Sequence, residues 1–182
     1  MAHILGEAIL LREYREEDKE QLRAWVNDPA ATQNLSNIFI RGHTVPMSDG
    51  FVDRILRNQD PGAFHYVIAR REDESYIGQV DLAGIDWYSR IGTLAIVIPA
   101  AENRGRGYGA EAIRLLLRYA FERINLNKVE LEVHEFNTRA YELYRRLGFV
   151  EEGRLRGRVY RGGRYYDSIA MGIFRSEFAA AE

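Results

Sequence analysis

The hydrophobic period of this chain changes near its middle, and that change restricts what it can fold into. Segments 63–70 (AFHYVIAR), 75–87 (SYIGQVDLAGIDW) and 91–98 (IGTLAIVI) read as strands, separated only by Arg71-Glu72-Asp73-Glu74 and Tyr88-Ser89-Arg90. Joins this short make successive strands antiparallel hairpins. From Gly107 the period becomes helical. Ile113, Leu116, Leu117, Ala120, Phe121 and Ile124 form one stripe, with Glu111, Arg114, Arg118 and Glu122 opposite. Residues 128–135 (KVELEVHE) then alternate again as a strand. The strand–helix–strand unit at 91–135 is therefore expected to be parallel and right-handed.

The flanks complete the pattern. Residues 8–14 (AILLREY) read as a short strand, and the acids Glu16, Glu17 and Asp18 open a helix carrying Leu22, Trp25 and Val26. Asn27-Asp28-Pro29 stops it, and residues 30–47 read as loop. Ser48 is the expected cap of a second helix with the face Val52, Ile55 and Leu56, ending before Asp60-Pro61-Gly62. Asn137 is placed to cap a helix at 138–147, with Ala140, Leu143, Tyr144 and Leu147 inward and Gly148 as its stop. Segments 150–160 and 164–174 form a long hairpin around Arg161-Gly162-Gly163. The expected fold is α+β (mixed α/β), one domain over residues 1–182. About seven strands make a single, mostly antiparallel sheet with one parallel pair, flanked by about four helices.

Composition narrows the chemistry. The 182 residues carry 25 basic and 27 acidic side chains, net charge −2, which is not the balance of a basic nucleic-acid binder. There is no cysteine, so disulfides, thiolate metal sites and covalent cysteine intermediates are excluded. His3, His43 and His65 are scattered without metal-ligand spacing, so no metal is expected. The start, from Met1-Ala2 through Glu7, has no basic region leading into an apolar stretch, and no apolar run reaches the roughly 18 residues of a membrane helix. A cytoplasmic protein is expected.

Glu102-Asn103-Arg104-Gly105-Arg106-Gly107-Tyr108-Gly109 lies between an apolar strand and an amphipathic helix. Alternate glycines let the backbone curl and approach a ligand closely. N–H groups at the helix start, with the dipole behind them, make an anion site. Arg104 and Arg106 are expected to add side-chain charge toward phosphate. No Gly-Lys-Ser/Thr follows, and the glycine spacing is not that of a dinucleotide fingerprint.

On these residues the chain resembles the GNAT N-acetyltransferases. Arg104-x-x-Gly107-x-Gly109 fits that family's acetyl-CoA signature, and Asn137-x-x-Ala140-x-x-x-Tyr144-x-x-x-Gly148-Phe149 fits its next strand–helix–strand position. Leu11-Arg12 through Asn27-Asp28-Pro29 at one end, with Glu152-Gly153-Arg154-Leu155-Arg156 and Gly163-Arg164-Tyr165-Tyr166-Asp167 at the other, are similar to the branch that acetylates ribosomal-protein N-termini and to related polyamine acetyltransferases. The resemblance implies a sheet splayed at its central parallel pair, with acetyl-CoA between strands 91–98 and 128–135. It puts pyrophosphate on the backbone of Arg104, Gly105, Arg106, Gly107, Tyr108 and Gly109, and pantetheine along Ile96, Val97 and Ile98. Asn137 is both a helix cap and a donor to the cofactor.

Acetyl transfer to an amine needs a proton acceptor, donors for the oxyanion and an acid for the leaving thiolate. An N–H near Ile98 suits the oxyanion. The resemblance makes Tyr144 the general acid. Glu132 is the first candidate base, His134 the second, and water a third, because the ribosomal-protein branch often has an acid where this chain has Gly92-Thr93-Leu94. Alternation puts Glu130, Glu132 and His134 on one strand face. Asp81, Asp86, Trp87, Tyr88 and Asp167 are candidate acceptor-site groups, since carboxylates with aromatics suit a cationic amine. Residues 139–164 hold eight arginines against three acids, suited to CoA phosphates or an acidic acceptor.

The expected activity is direct acetyl transfer to a primary amine, first a protein N-terminal α-amine. Polyamines and other small amines are the alternative, and a non-catalytic acyl-CoA sensor or a nucleotide-binding regulator the competing classes. A homodimer is the default assembly.

Overall fold

The computed structural model describes residues 3–35 and 37–181, so the opening Met1-Ala2 lies outside it. Eight strands form one sheet in the order β1-β2-β3-β4-β5-β6-β8-β7. The chain divides into two compact units, Met1–Ala83 with Ala95–Leu115, and Gly84–Leu94 with Leu116–Glu182. Strands β4 (Tyr76–Asp86) and β5 (Ile91–Val97) each run from one unit into the other.

The first unit begins with β1 (Ile4–Leu5) and β2 (Ile9–Arg12), followed by α1 (Asp18–Trp25), α2 (Pro29–Thr32) and α3 (Val45–Leu56). β3 (Phe64–Arg70) pairs antiparallel with β2 and with β4, where one bulge falls at Ile68/Ala69. Leu22 and Trp25 of α1 and Val52 of α3 pack with Tyr14, Val67, Ala69 and Val97 in a buried core. The 30–47 segment is less of a loop than expected. Asp28 accepts a hydrogen bond from the Ala30 N–H with Pro29 at the first helical position, which is the chemistry of a helix start. α3 likewise begins at Val45, three residues before the expected cap, because Pro46 sits in its first turn. Ser48 is buried, its hydroxyl donating to the Thr44 and Val45 carbonyls.

A buried ion pair anchors α1. Both guanidinium nitrogens of Arg12 reach the Asp18 carboxylate at 2.8 Å, and Asp18 also accepts from the Arg15 N–H at 2.7 Å. Asp18 is 1% exposed, so Asp18→Ala leaves a buried cation without its partner. The expected loss is about 3 kcal/mol or more in equilibrium denaturation. A loss under about 1 kcal/mol would mean the pair behaves as a surface one.

The second unit contains the end of α4 (Tyr108–Arg118), whose last turn widens to a π-helix at Tyr119–Arg123, then β6 (Lys128–His134) and α5 (Thr138–Arg146). β7 (Val150–Arg161), β8 (Arg164–Phe174) and α6 (Arg175–Ala181) follow. The predicted parallel pair is present, running from Ile91–Lys128 to Thr93–Glu130. β8 lies between β6 and β7 and is antiparallel to both. β7 is the outermost strand and is exposed along nearly its whole length, with register shifts at Glu151/Gly153 and Leu155/Val159. The two-residue β1 has no period to read, and α6 is opened by the Glu177 carboxylate accepting from the Phe174 N–H. These bring the counts among the described residues to eight strands and six α-helices. No helix among the described residues is long and apolar enough to cross a membrane.

Candidate active site

In the first unit, β5 gives way to a short 3-10 turn at Ala101–Asn103 and then to the glycine loop. Gly105 has φ +79° and Gly107 φ +88°, a region that side chains other than glycine rarely enter. The first helical bond of α4 runs from the Glu111 N–H to the Gly107 carbonyl, so the N–H groups of that turn have no intrahelical partner. A Cβ placed on Gly107 would meet nothing within 4 Å, so the space above the loop is open.

The arginines have partners in the loop backbone. Arg104 donates to the carbonyls of Ile98 (2.9 Å), Pro99 (2.6 Å) and Ala30 (3.3 Å), and Arg106 donates to the Glu102 carbonyl at 2.6 Å. Both hold the backbone of the loop. Tyr108 is buried, its hydroxyl accepting from Arg70 at 3.2 Å. The Glu111 carboxylate accepts from the N–H groups of Glu7, Ala8 and Ile9, tying the helix start to the turn before β2. Ile96 and Ile98 are half-buried and Val97 is buried. Gly78 lets β4 pass close to this strand end, because a Cβ there would lie 2.2 Å from the Val97 carbonyl oxygen.

In the second unit, alternation on β6 is as expected: Val129, Leu131 and Val133 are buried, while Glu130, Glu132 and His134 face the other way. Glu132 is exposed and accepts from the buried Ser168 hydroxyl at 2.8 Å. Glu130, Glu132 and Glu152 line a cleft of about 160 Å³ with Thr93 and Ala170. Lys128 partly neutralises it, 2.6 Å from Glu152 and 3.6 Å from Glu130. His134 packs at a tilt against Phe136, which packs edge-on against Tyr166. Asn137 caps α5, accepting from the Ala140 N–H at 3.3 Å, and its amide nitrogen is a donor. Tyr144 is 8% exposed and packs edge-on against Phe149. Burial pushes its phenol up to about 12.

The acceptor candidates are distributed between the units. Asp86 accepts from the Tyr88 and Ser89 N–H groups, which shapes the β4–β5 turn, and the Ser89 hydroxyl, then these N–H groups, hold its carboxyl below the usual range. Trp87 and Tyr88 are exposed on that turn. Asp167 accepts from the Gly157 N–H at 2.9 Å and orders the β7–β8 hairpin. Asp81, in the first unit, bonds His65 at 2.7 Å, a partner the sequence did not reveal. Among the described residues, no group of three or more metal-ligating side chains is placed to hold an ion.

The family description of the acetyltransferase (GNAT) domain matches residues 8–150. Spermidine N(1)-acetyltransferase of Vibrio cholerae is 37% identical over 58% of this chain and 60% of its own length. YdaF of Bacillus subtilis, whose name assigns it provisionally to ribosomal N-acetylation, is 31% identical over 58% of this chain and 57% of its own. The aligned part thus spans about three fifths of each relative. The crystal structure of the Vibrio cholerae spermidine N-acetyltransferase in complex with CoA and spermine superimposes with a TM-score of 0.81 at 25% identity, covering 96% of this chain and 99% of that one. The chain therefore belongs to the GNAT family and is an acetyl-CoA-dependent N-acetyltransferase.

Proposed function

We propose that this enzyme, acting as a single domain over residues 1–182, acetylates a primary amine of a small polycation of the spermidine type. The likeness in sequence and in fold to spermidine N-acetyltransferases carries this reading. It favours the polyamine alternative over the protein N-terminus that the chain ends first suggested.

In this reading the N–H groups of residues 105–109 take the pyrophosphate. The edge of Ile96–Ile98 takes the pantetheine, which is supported by parallel pairing that ends at Thr93–Glu130 while β5 runs on to Val97. An N–H near Ile98 meets the oxyanion, and the Asn137 amide donates to the cofactor. Tyr144 meets the leaving sulfur. A phenol near 12 is fully protonated at neutral pH and donates a hydrogen bond to a thiolate whose own pKa is about 8.5. The proton leaves the acceptor ammonium through Glu132, His134 or water. Glu132 stays first because the Ser168 hydroxyl fixes one of its oxygens while the residue remains exposed. Asp81 supplies negative charge for a cationic substrate.

Thiol release from acetyl-CoA, followed over spermidine, spermine, butylamine and peptides with free N-termini, tests this. The protein has no cysteine, so its own background is nil. Release with the polyamines is expected. Release with peptides alone restores the N-terminal reading. Bound acetyl-CoA with no release from any amine makes the domain a sensor.

A further inference from the structure

His65 on β3 stands between two carboxylates. Its Nδ1 meets Asp81 Oδ1 at 2.7 Å, and its Nε2 lies 3.5 Å from Asp60 Oδ2. The side chains of His65 and Asp81 are 11% and 14% exposed, whereas Asp60, in the α3–β3 connection, is 54% exposed. His65 and Asp60 line a small cleft with Ile55, Asn58 and Ala63. Phe51 of α3 packs edge-on against His65 at 5.6 Å and against Tyr14 at 6.0 Å. Independently, the Tyr14 hydroxyl is buried and, among the described residues, has no hydrogen-bond partner. Asp81 is the charge that acts on that hydroxyl most strongly. A buried hydroxyl without a partner costs free energy unless a bound group satisfies it. Carboxylates and an unsatisfied hydroxyl together suit an alkyl ammonium.

We propose that Asp81, Asp60, His65 and Tyr14 form a subsite for a non-reacting ammonium of the acceptor, and that protonation of His65 switches its charge. The proposal rests on the polyamine reading for its ligand but not for its test. With His65 charged, the cluster carries one net negative charge; with His65 neutral, it carries two. Burial lowers the imidazole's pKa, but the hydrogen bond and charge of Asp81, then of Asp60, outweigh burial and raise it above the usual 6.5. The other ionisable groups acting at Tyr14 are the Tyr76 phenol and the Arg12–Asp18 pair, which is neutral in sum. The second negative charge therefore appears as pH rises through this raised value, and polycation affinity rises with it.

Calorimetric titration of the enzyme with spermidine between pH 6 and 9, with butylamine as the monocation control, reads this directly and needs no turnover. The Kd for spermidine is expected to fall about tenfold across the range, the weight of one added charge at a half-buried site. His65→Gln, permanently neutral, is expected to bind spermidine about tenfold tighter than wild type at pH 6 and to lose the slope, a gain that mere damage to the fold does not produce. Asp60→Asn, at an exposed position, is expected to weaken spermidine severalfold while leaving butylamine within twofold. A flat wild-type profile, a His65→Gln profile parallel to wild type, or an unchanged Asp60→Asn affinity each overturns the proposal. Thiol release with peptides alone overturns the polyamine reading instead, and leaves these binding curves to judge the subsite separately.

Discussion

Replacing Tyr144 by Phe is expected to lower kcat about 100-fold and to leave the Kd for acetyl-CoA within about twofold. The ring is buried and packed on Phe149, so Phe keeps the contacts and removes only the hydroxyl. What is lost is the donor to the departing sulfur. Because burial pushes the phenol up to about 12, the ratio of wild-type to variant rates is expected to be constant from pH 6 to pH 9. The stability effect has a definite sign. The folded phenol titrates above the unfolded value near 10, so its contribution is intact below pH 10 and is lost as pH climbs toward 12. In equilibrium denaturation the wild type should therefore lose stability relative to Tyr144→Phe as pH climbs from 10 toward 12. Stopped-flow or steady-state thiol release, beside acetyl-CoA titration, decides the catalytic part. An unchanged kcat removes Tyr144 from the mechanism.

Gly107→Val is the second large effect: acetyl-CoA affinity is expected to fall about 100-fold, the sum of backbone strain and a blocked approach. The two causes separate. At φ +88°, any side chain strains the loop, yet a Cβ there meets no protein atom within 4 Å. Gly107→Ala therefore reports strain with little bulk, and the further loss on going to Val reports obstruction of the ligand. Thermal melting without ligand measures the strain alone. An affinity within about threefold of wild type for Gly107→Val would falsify the loop as the pyrophosphate seat.

The parts legible in the sequence were those governed by local period and local chemistry. The three tight strands, the helical stripe after Gly107, the alternation of β6 and the Asn137 cap all depend on neighbours a few residues away. Strand order did not: the β7–β8 hairpin is legible at Arg161-Gly162-Gly163, but β8 also pairs with β6 through long-range contacts that no period encodes. The His65–Asp81 pair was hidden for a sharper reason. Near its turn the β3–β4 hairpin pairs Ala69 with Tyr76, and counting on from there sets His65 opposite Val80. The bulge at Ile68/Ala69 adds one residue and brings Asp81 opposite instead. Arg104 has a second role that the motif does not announce: its guanidinium has three backbone carbonyls within reach.

The outermost position of β7 also bears on how copies of the chain behave when crowded. An unpaired strand edge is a template on which another chain can extend the sheet, and that route leads to aggregates. Here the edge is interrupted by two register shifts, carries Gly157 at φ +59°, and presents Arg154, Arg156 and Arg158 to solvent. Two such edges meet with like charge and mismatched pleat. The protection weakens as salt shortens the Debye length from about 10 Å at 0.1 M to about 3 Å at 1 M. Concentrated stocks of this enzyme should therefore stay clear at low ionic strength and turn cloudy first in high salt.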